Sequence, residues 1–209
     1  MAEVAASKKR ARGPVGTVLE LLVTVAVAIS LALLIQALVV KPYRIPTPSM
    51  VPTLAIGQRV LVNRLDTHPG LGDIVVFHPP AGADPQPAIC ANPRQGADHP
   101  QACDQPTAQA STQTFIKRLV GLPGDRISIA DGHVIRNGVQ EKAPYAQPCG
   151  GVPGCNFRKT IAVPRDDYYM MGDNRGRSDD SRFWGPVPQK WIIGIAFFTY
   201  WPPGRIGIL

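Results

Sequence analysis

The sequence predicts a mainly β domain preceded by one N-terminal transmembrane helix. Prolines and glycines number 22 and 20 among 209 residues, which disfavours a helical bundle and favours short strands joined by turns. Short β-branched and aromatic runs recur in the second part of the chain, whereas residues 21–40 form one nearly uninterrupted apolar segment. The length allows one compact domain with an appendage, and an apolar content of 44% excludes a disordered chain.

The apolar segment is long enough to cross a bilayer. Only three of the twenty positions 21–40 are polar, and twenty helical residues reach about 30 Å, the thickness of the hydrocarbon core. A buried core helix would show a polar stripe, and a cleavable signal peptide would have a shorter apolar region that ends at a small-x-small site. We therefore predict a basic tail at 1–14, a retained transmembrane anchor at 15–40 and a β-rich domain at 41–209.

The distribution of cations predicts the orientation of the anchor and the class of partner. Four basic residues precede the span, at positions 8, 9, 10 and 12, and two follow it, Lys41 and Arg44. The positive-inside rule then leaves the N-terminus in the cytoplasm and the β-rich domain outside. The net charge of +7 is scattered without a basic run or interleaved aromatics, so we expect a lipid bilayer as partner and no nucleic acid.

The four cysteines predict disulfides. They form two pairs that are close in sequence, Cys90 with Cys103 and Cys149 with Cys155, and an even number in an exported domain is typical of disulfide bonding. Pairing of neighbours is the simplest of three connectivities. A zinc site is the alternative, but no Cys-x-x-Cys occurs and His99 is the one nearby imidazole. We expect no metal and no cofactor.

Several runs within 41–209 have the composition of β-strands, and two turn signals lie between them. Asp131-Gly132 joins two of the runs as a hairpin, and Asn137-Gly138 offers another turn. The predicted strands are 59–63, 74–77, 114–120, 126–129, 133–136, 167–171 and 192–200.

Residues 79–111 interrupt this pattern. The segment is rich in Pro, Ala, Gln, Asp and Gly, shows no hydrophobic period and contains Cys90 and Cys103. We predict a disulfide-pinned surface excursion, either a tolerated insertion or a functional lid. It is called the excursion below.

Two residues stand out as candidates for chemistry in the β-rich domain. Ser49 lies between small or apolar neighbours in a proline-stiffened segment just after the anchor, although a serine between prolines is also a common turn residue. Lys117 lies in an apolar strand next to Arg118, and strand alternation sends one of these cations inward. A lysine on an apolar face loses its proton more easily and can act as a general base. The alternative is two solvated edge cations.

Three ordered motifs resemble those of the bacterial type I signal peptidases. They are Pro-Ser-Met at 48–50 after an anchor, Lys-Arg-Leu-Val-Gly-Leu-Pro-Gly-Asp at 117–125, and Gly-Asp-Asn-Arg at 172–175 followed by Ser-x-Asp-Ser-Arg and Trp-Gly. The resemblance covers the anchor and nearly all of the outer domain except the excursion. It implies a coiled β-sheet catalytic domain with one N-terminal transmembrane helix, at the bacterial cell membrane.

The resemblance also implies a Ser/Lys dyad. Ser49 would be the nucleophile and Lys117, as the neutral amine, the general base. Ser178 matches the serine that steadies the lysine in the family, and three further residues would support the dyad through close backbone approach or an ion pair: Gly172, Asp180 and Arg182.

The implied oxyanion hole combines the backbone N–H of Ser49 with the side-chain hydroxyl of Thr47. Threonine replaces the serine often found at this position, and Pro48 replaces the glycine of many relatives. Thr47 keeps the hydroxyl, but its rotamer is more restricted.

The implied substrates are secretory preproteins, whose signal peptides end in small-x-small and bind as an added strand. The residues that would line two shallow pockets are Ile45, Pro46, Met50, Leu54, Phe115 and Ile116. Leu54 and Ile116 could equally be ordinary core. Four aromatic residues are candidates for contact with the membrane interface or for core packing: Trp184, Trp191, Trp201 and Phe198.

The predicted function is thus a monomeric, membrane-bound serine endopeptidase that removes signal peptides. A self-cleaving repressor-type Ser/Lys protease shares the dyad but would lack the anchor. The non-enzymatic alternative is an exported, disulfide-stabilised binding domain on a membrane anchor, in which Ser49 and Lys117 are structural.

Overall fold

The computed structural model describes residues 14–84 and 87–209. The chain divides into two compact units, 1–39 and 40–209. The predicted mainly β fold with one N-terminal apolar helix is confirmed. The basic positions 8, 9, 10 and 12, from which the orientation was predicted, lie outside the described residues.

The first unit consists of helix α1, Pro14–Leu38. Its segment Val15–Ile35 has a mean hydropathy of 2.7, and none of its most apolar window is buried. Leucine, valine and isoleucine side chains are exposed along this helix from Val15 to Leu38. The helix ends two residues before the predicted limit of the anchor, because Val40 already begins the first strand.

The second unit contains two antiparallel sheets. The larger sheet has the order β1-β2-β11-β3-β4-β9-β10, with β12 paired to β11, and the smaller has the order β7-β6-β5-β8. The strands are β1 (Val40–Arg44), β2 (Arg59–Asn63), β3 (Ile74–Phe77), β4 (Phe115–Gly121), β5 (Arg126–Ala130), β6 (His133–Arg136), β7 (Val139–Gln140), β8 (Phe157–Ala162), β9 (Asp167–Met171), β10 (Val187–Pro188), β11 (Ile192–Trp201) and β12 (Gly207–Ile208).

Register shifts curl the larger sheet. Strand β11 pairs with β2 through two irregularities, one between Ala196 and Phe198 and one between Thr199 and Trp201. Further shifts occur where β11 meets β3 and where β4 meets β9. Each extra residue bends its strand and increases the local twist.

All seven predicted strands occur, and both predicted turns are present. Asp131 and Gly132 have φ of 47° and 76°, and Asn137 and Gly138 have φ of 53° and 83°, the backbone that a tight two-residue hairpin requires. Strand β8 was missed because its exposed middle, 158–160, carries polar residues. Strand β1 was missed because it directly follows the apolar segment.

Three apolar clusters form the core of the second unit. Trp184, in the short helix α2 (Ser181–Trp184), is fully buried and packs against Phe77 and Phe115, with ring centroids 6.1 and 6.4 Å away. It is therefore a core residue. The other three aromatics are partly or largely exposed: Trp191, Phe198 and Trp201.

The predicted disulfides Cys90–Cys103 and Cys149–Cys155 are confirmed. The excursion is less superficial than its composition suggested, because Ala83, Ala102 and Cys103 are buried. The Cys103 backbone N–H donates to the Arg182 carbonyl over 3.0 Å. The disulfide thus holds a segment that packs on the domain, and the surface description applies only to its outer side.

Candidate active site

Ser49 lies in a single turn of 3₁₀ helix, Pro48–Met50. Proline suits the first position of such a turn, because its N–H is not needed there and its φ is already fixed. Met50 is fully buried and anchors the turn in the core. On the other side, Asn174 donates its backbone N–H to the Ser49 carbonyl over 3.0 Å and its side-chain amide to the Pro48 carbonyl over 3.2 Å. The backbone of the serine is therefore held from two sides.

Lys117 lies in β4, where the strand is buried. Desolvation by burial lowers the pKa of its amine from 10.5 to about 8. The carboxylates of Asp180 and Asp179 oppose this shift, and the guanidinium of Arg182 adds to it. With this pKa, about a tenth of the amine is neutral at pH 7. Lys117 therefore has the protonation behaviour of a general base.

Ser49 and Lys117 line the same cavity, whose volume is about 310 Å³. Thr47 lies beside Ser49 in this cavity, and their hydroxyl oxygens are 3.2 Å apart. The cavity is lined by Pro46, Thr47, Ser49, Gln113, Thr114, Phe115, Ile116, Lys117, Arg177 and Asp179. Of the six residues predicted to contact substrate, three line this cavity and the other three, Ile45, Met50 and Leu54, are buried in the core.

Gly172 allows the loop of Ser178 to approach the turn that contains Ser49. A Cβ atom at position 172 would overlap the Ser178 hydroxyl and the Ser49 carbonyl oxygen. The Gly172 backbone N–H donates to the Asp180 carboxylate over 3.1 Å. Because glycine has no side chain, the loop, β9 and the serine turn can meet at this point.

Asp180 and Arg182 form a buried ion pair under the loop. Arg182 donates from Nε to one carboxylate oxygen over 2.7 Å and from Nη2 to the other over 2.9 Å. Burial alone would raise the pKa of Asp180, but the guanidinium outweighs it and holds that pKa below its ordinary value. Arg182 also donates to the carbonyls of Ser178, Arg175 and Gly154, the last inside the disulfide loop 149–155. The ion pair thus connects the loop of Ser178 to the Gly172 backbone on one side and to the disulfide loop 149–155 on the other.

Comparison with known proteins places the chain in a family. Residues 18–201 match the family described as "Signal peptidase, peptidase S26". The chain is 35% identical over its whole length to a signal peptidase I of Leptolyngbya laminosa, covering 90% of that protein. The chain belongs to the signal peptidase family, peptidase S26. The predicted enzyme class, a serine peptidase, is thereby confirmed.

Two further relatives by sequence agree with this membership. A probable signal peptidase I of Synechocystis is 34% identical, with 97% of this chain and 82% of that protein covered. A signal peptidase IB of Staphylococcus aureus is 27% identical, with 88% and 90% covered. A crystal structure of a signal peptidase I from Enterococcus faecalis is 25% identical, with 61% of this chain and 95% of that chain covered and a TM-score of 0.38.

A second buried cation, Arg118, lies beside the candidate base of this peptidase and was not predicted. Arg118 was expected on the opposite face from Lys117, with only one of the two inward, yet both are buried. Arg118 donates to both oxygens of Asp173 over 2.8 and 2.7 Å and lies over the Tyr145 ring, 3.9 Å from its centroid. Only the expectation of a single inward cation was wrong, because the sheet is covered on both faces here. The sequence contains one indication of this ion pair, because Asp173 belongs to the Gly-Asp-Asn-Arg motif.

Proposed function

We propose that the chain is a membrane-bound serine endopeptidase that removes N-terminal signal peptides from exported preproteins. Ser49 is the nucleophile and Lys117 the general base of a Ser/Lys dyad. The observation that carries this proposal is the shared cavity, where the Ser49 hydroxyl and a buried lysine of lowered pKa are both present. Family membership supports the reaction class, and the names of the relatives support the substrate class.

The reaction needs no group other than side chains and water. The Lys117 amine takes the proton of the Ser49 hydroxyl while Oγ attacks the scissile carbonyl carbon. The ammonium then gives this proton to the leaving amine, which departs as the N-terminus of the mature protein. In the second half, the amine deprotonates a water that attacks the acyl carbon, the bond from this carbon to Ser49 Oγ breaks, and the Lys117 ammonium returns the proton to Oγ. The signal peptide leaves as a carboxylic acid, which ionises in water.

The oxyanion is stabilised by the Ser49 backbone N–H and the Thr47 hydroxyl. In the free enzyme the Thr47 hydroxyl is within hydrogen-bond reach of Ser49 Oγ, so it is already at the reaction centre and turns to the oxyanion when substrate is bound. Such a donor typically contributes about 2.7–4 kcal/mol to stabilisation of the transition state.

Ser178, Gly172, Asp180 and Arg182 position the dyad. The Ser178 hydroxyl is buried at the contact with Gly172, and the family resemblance assigns it the role of steadying the Lys117 amine. The ion pair beneath it fixes the loop by hydrogen bonds to the Ser178 carbonyl and the Gly172 N–H. These residues act through the base and the nucleophile turn and do not exchange protons with substrate.

Specificity for small-x-small sites follows from the cleft and from β4. Strand β3 pairs with residues 115–118 of β4, whereas β9 pairs with β4 only from Arg118 onward. In the described strand pairs, the edge at Phe115 and Ile116 opposite β3 is therefore open to a substrate strand. Pro46, Phe115 and Ile116 form shallow apolar walls that accept small side chains and exclude large ones. The core residues Ile45, Met50 and Leu54 support these walls from below.

The location proposed for this activity is the outer face of a bacterial cell membrane. Helix α1 is the anchor, and its length and uniform apolarity support this role. Two disulfides suit an oxidising compartment. The end of the larger sheet exposes Trp201, Ile206 and Ile208 beside Arg205, a composition suited to the membrane interface. Monomeric action on secretory preproteins completes the proposal.

The test is cleavage of a preprotein by the detergent-solubilised full chain. Wild type, Ser49→Ala and Lys117→Ala are compared with two matched controls, Ser128→Ala and Lys142→Ala, which lie outside the cleft. We expect cleavage after the small-x-small site by wild type and both controls, and none by the two dyad variants at unchanged folding. Activity that survives either dyad substitution would assign that role to another residue. Absence of cleavage by folded wild type would favour the binding-domain alternative.

A further inference from the structure

A second cavity adjoins the cleft and is walled by the excursion. Its volume is about 310 Å³, and its excursion wall is formed by Pro87, Ala88 and Ala97. The opposite wall is the loop that follows the Gly-Asp-Asn-Arg motif, with Phe183 at its base. Arg177 and Asp179 line both this cavity and the cleft of Ser49 and Lys117. The two cavities therefore adjoin at these two residues, and together they are called the groove below.

The excursion wall is held in place by contacts to helix α2, which follows the Gly-Asp-Asn-Arg motif. The Cys90–Cys103 disulfide closes the segment, and the Cys103 N–H donates to the Arg182 carbonyl over 3.0 Å. Gly96 has φ of 92°, and a Cβ at this position would lie 3.0 Å from the Phe183 carbonyl oxygen. Gln95 adds a hydrogen bond of 2.9 Å to the Asp104 carboxylate within the segment. These contacts hold the excursion wall in place before substrate binds, so binding carries only a small entropic cost for ordering it.

The polarity of the groove indicates which part of a substrate occupies each end. At the cleft end, Pro46, Phe115 and Ile116 suit the small side chains that precede the scissile bond. At the shared boundary, Arg177 is exposed and Asp179 is half-buried. Polar side chains there suit the residues that follow the scissile bond, which belong to a water-soluble mature protein. A substrate chain that leaves the dyad on this side then enters the second cavity.

We propose that the second cavity binds the first residues of the mature part of the preprotein in extended conformation. This inference rests on the proposed function and deepens it. Pro87, Ala88 and Phe183 contact apolar or small side chains of the mature segment, and the Arg177 guanidinium favours an acidic residue next to them. The excursion, which the sequence left as an insertion or a lid, is in this proposal a fixed wall of the substrate site.

The experiment compares peptides of different length on the mature side. All carry the same small-x-small sequence, followed by either two or eight residues after the scissile bond, because eight extended residues reach about 26 Å. The enzymes are the full-length wild type, Ala97→Trp, which places an indole in the groove, and Ala108→Trp, an exposed alanine of the excursion that lines neither cavity. The readout is the ratio of kcat/KM for the long peptide to that for the short one.

We expect a ratio of about five or more for wild type and for Ala108→Trp, from apolar contact and partial burial of the extension. For Ala97→Trp the ratio should fall to about one. A ratio of one in all three enzymes, with both peptides cleaved, would overturn the groove and leave the proposed function intact. Failure of wild type to cleave either peptide would instead refute the proposed function.

A second pair of peptides tests the assignment of the two ends. They differ by six residues added on the signal side, before the small-x-small sequence. The gain from this extension should be the same in wild type and in Ala97→Trp. If Ala97→Trp removes the signal-side gain and keeps the mature-side gain, the cavity binds the signal peptide and the proposed orientation is wrong.

Discussion

An alanine at Gly172 should disable the enzyme more than it destabilises the fold. Its Cβ would overlap the Ser178 hydroxyl and the Ser49 carbonyl oxygen. The Ser178 hydroxyl can rotate, but the Ser178 Cβ and the Ser49 carbonyl oxygen cannot, so the Ser178 loop and the Ser49 turn must both shift, the turn by about 1 Å, to restore normal contact. A displacement of that size at a reacting group costs on the order of 100-fold in rate, whereas overpacking costs about 1–3 kcal/mol of stability.

The assay measures kcat and KM on one peptide with a small-x-small site, together with the thermal midpoint. The matched control is Gly204→Ala, because a Cβ at Gly204 meets nothing within 4 Å and its φ is not positive. We expect kcat of Gly172→Ala to fall about 100-fold with a smaller change in KM, and Gly204→Ala to match wild type. Equal kcat for the two variants at saturating substrate would refute the contact between Gly172 and the nucleophile turn.

Three further predictions concern the base, the ion pair and the oxyanion donor. Because the proposed base is the neutral Lys117 amine, whose pKa is about 8, kcat/KM should rise about tenfold per pH unit well below 8 and level off above it. Asp179→Asn removes a carboxylate that raises this pKa, so the rising limb should move to lower pH; an unmoved limb would contradict the assignment. Asp180→Asn should cost about 3–5 kcal/mol in urea unfolding, against no loss for the exposed Asp98→Asn. Thr47→Val should lower kcat about 10²–10³-fold, and Thr47→Ser should retain the wild-type kcat. Equal kcat values for the two variants would exclude Thr47 as an oxyanion donor.

The strands were predictable from sequence where side chains alternate between the core and solvent. Strand β2 alternates buried and partly exposed positions, as does β5, and this period of two is visible in the residue types. Strand β8 has only two buried residues, Phe157 and Ile161, so its pattern is too weak to detect. The even number of cysteines predicted disulfides but left three pairings open, and the structure has the simplest of them, the pairing of neighbours.

Parts of the site could not be predicted because they depend on contacts between distant segments. The Asp173 carboxylate that holds Arg118 lies 55 positions away, and nothing in strand alternation indicates a charge that is buried on the second face. The Asn174 bonds to the serine turn cross 126 positions. The contact of the excursion with helix α2 also depends on tertiary packing. The composition of the excursion alone is typical of a surface insertion.

Lys117 and Arg118 show how two adjacent buried cations acquire opposite protonation behaviour. Desolvation by burial is the largest single influence on each pKa, and acting alone it would lower both. For Arg118, the hydrogen bonds and charge of Asp173 outweigh burial, so its pKa is raised and it remains charged. For Lys117, the carboxylates of Asp179 and Asp180 offset only part of the desolvation. Because alternation points the two side chains to opposite faces, one strand supplies a permanent cation to brace the loop and, in the cleft, an amine that loses its proton more easily than an ordinary lysine.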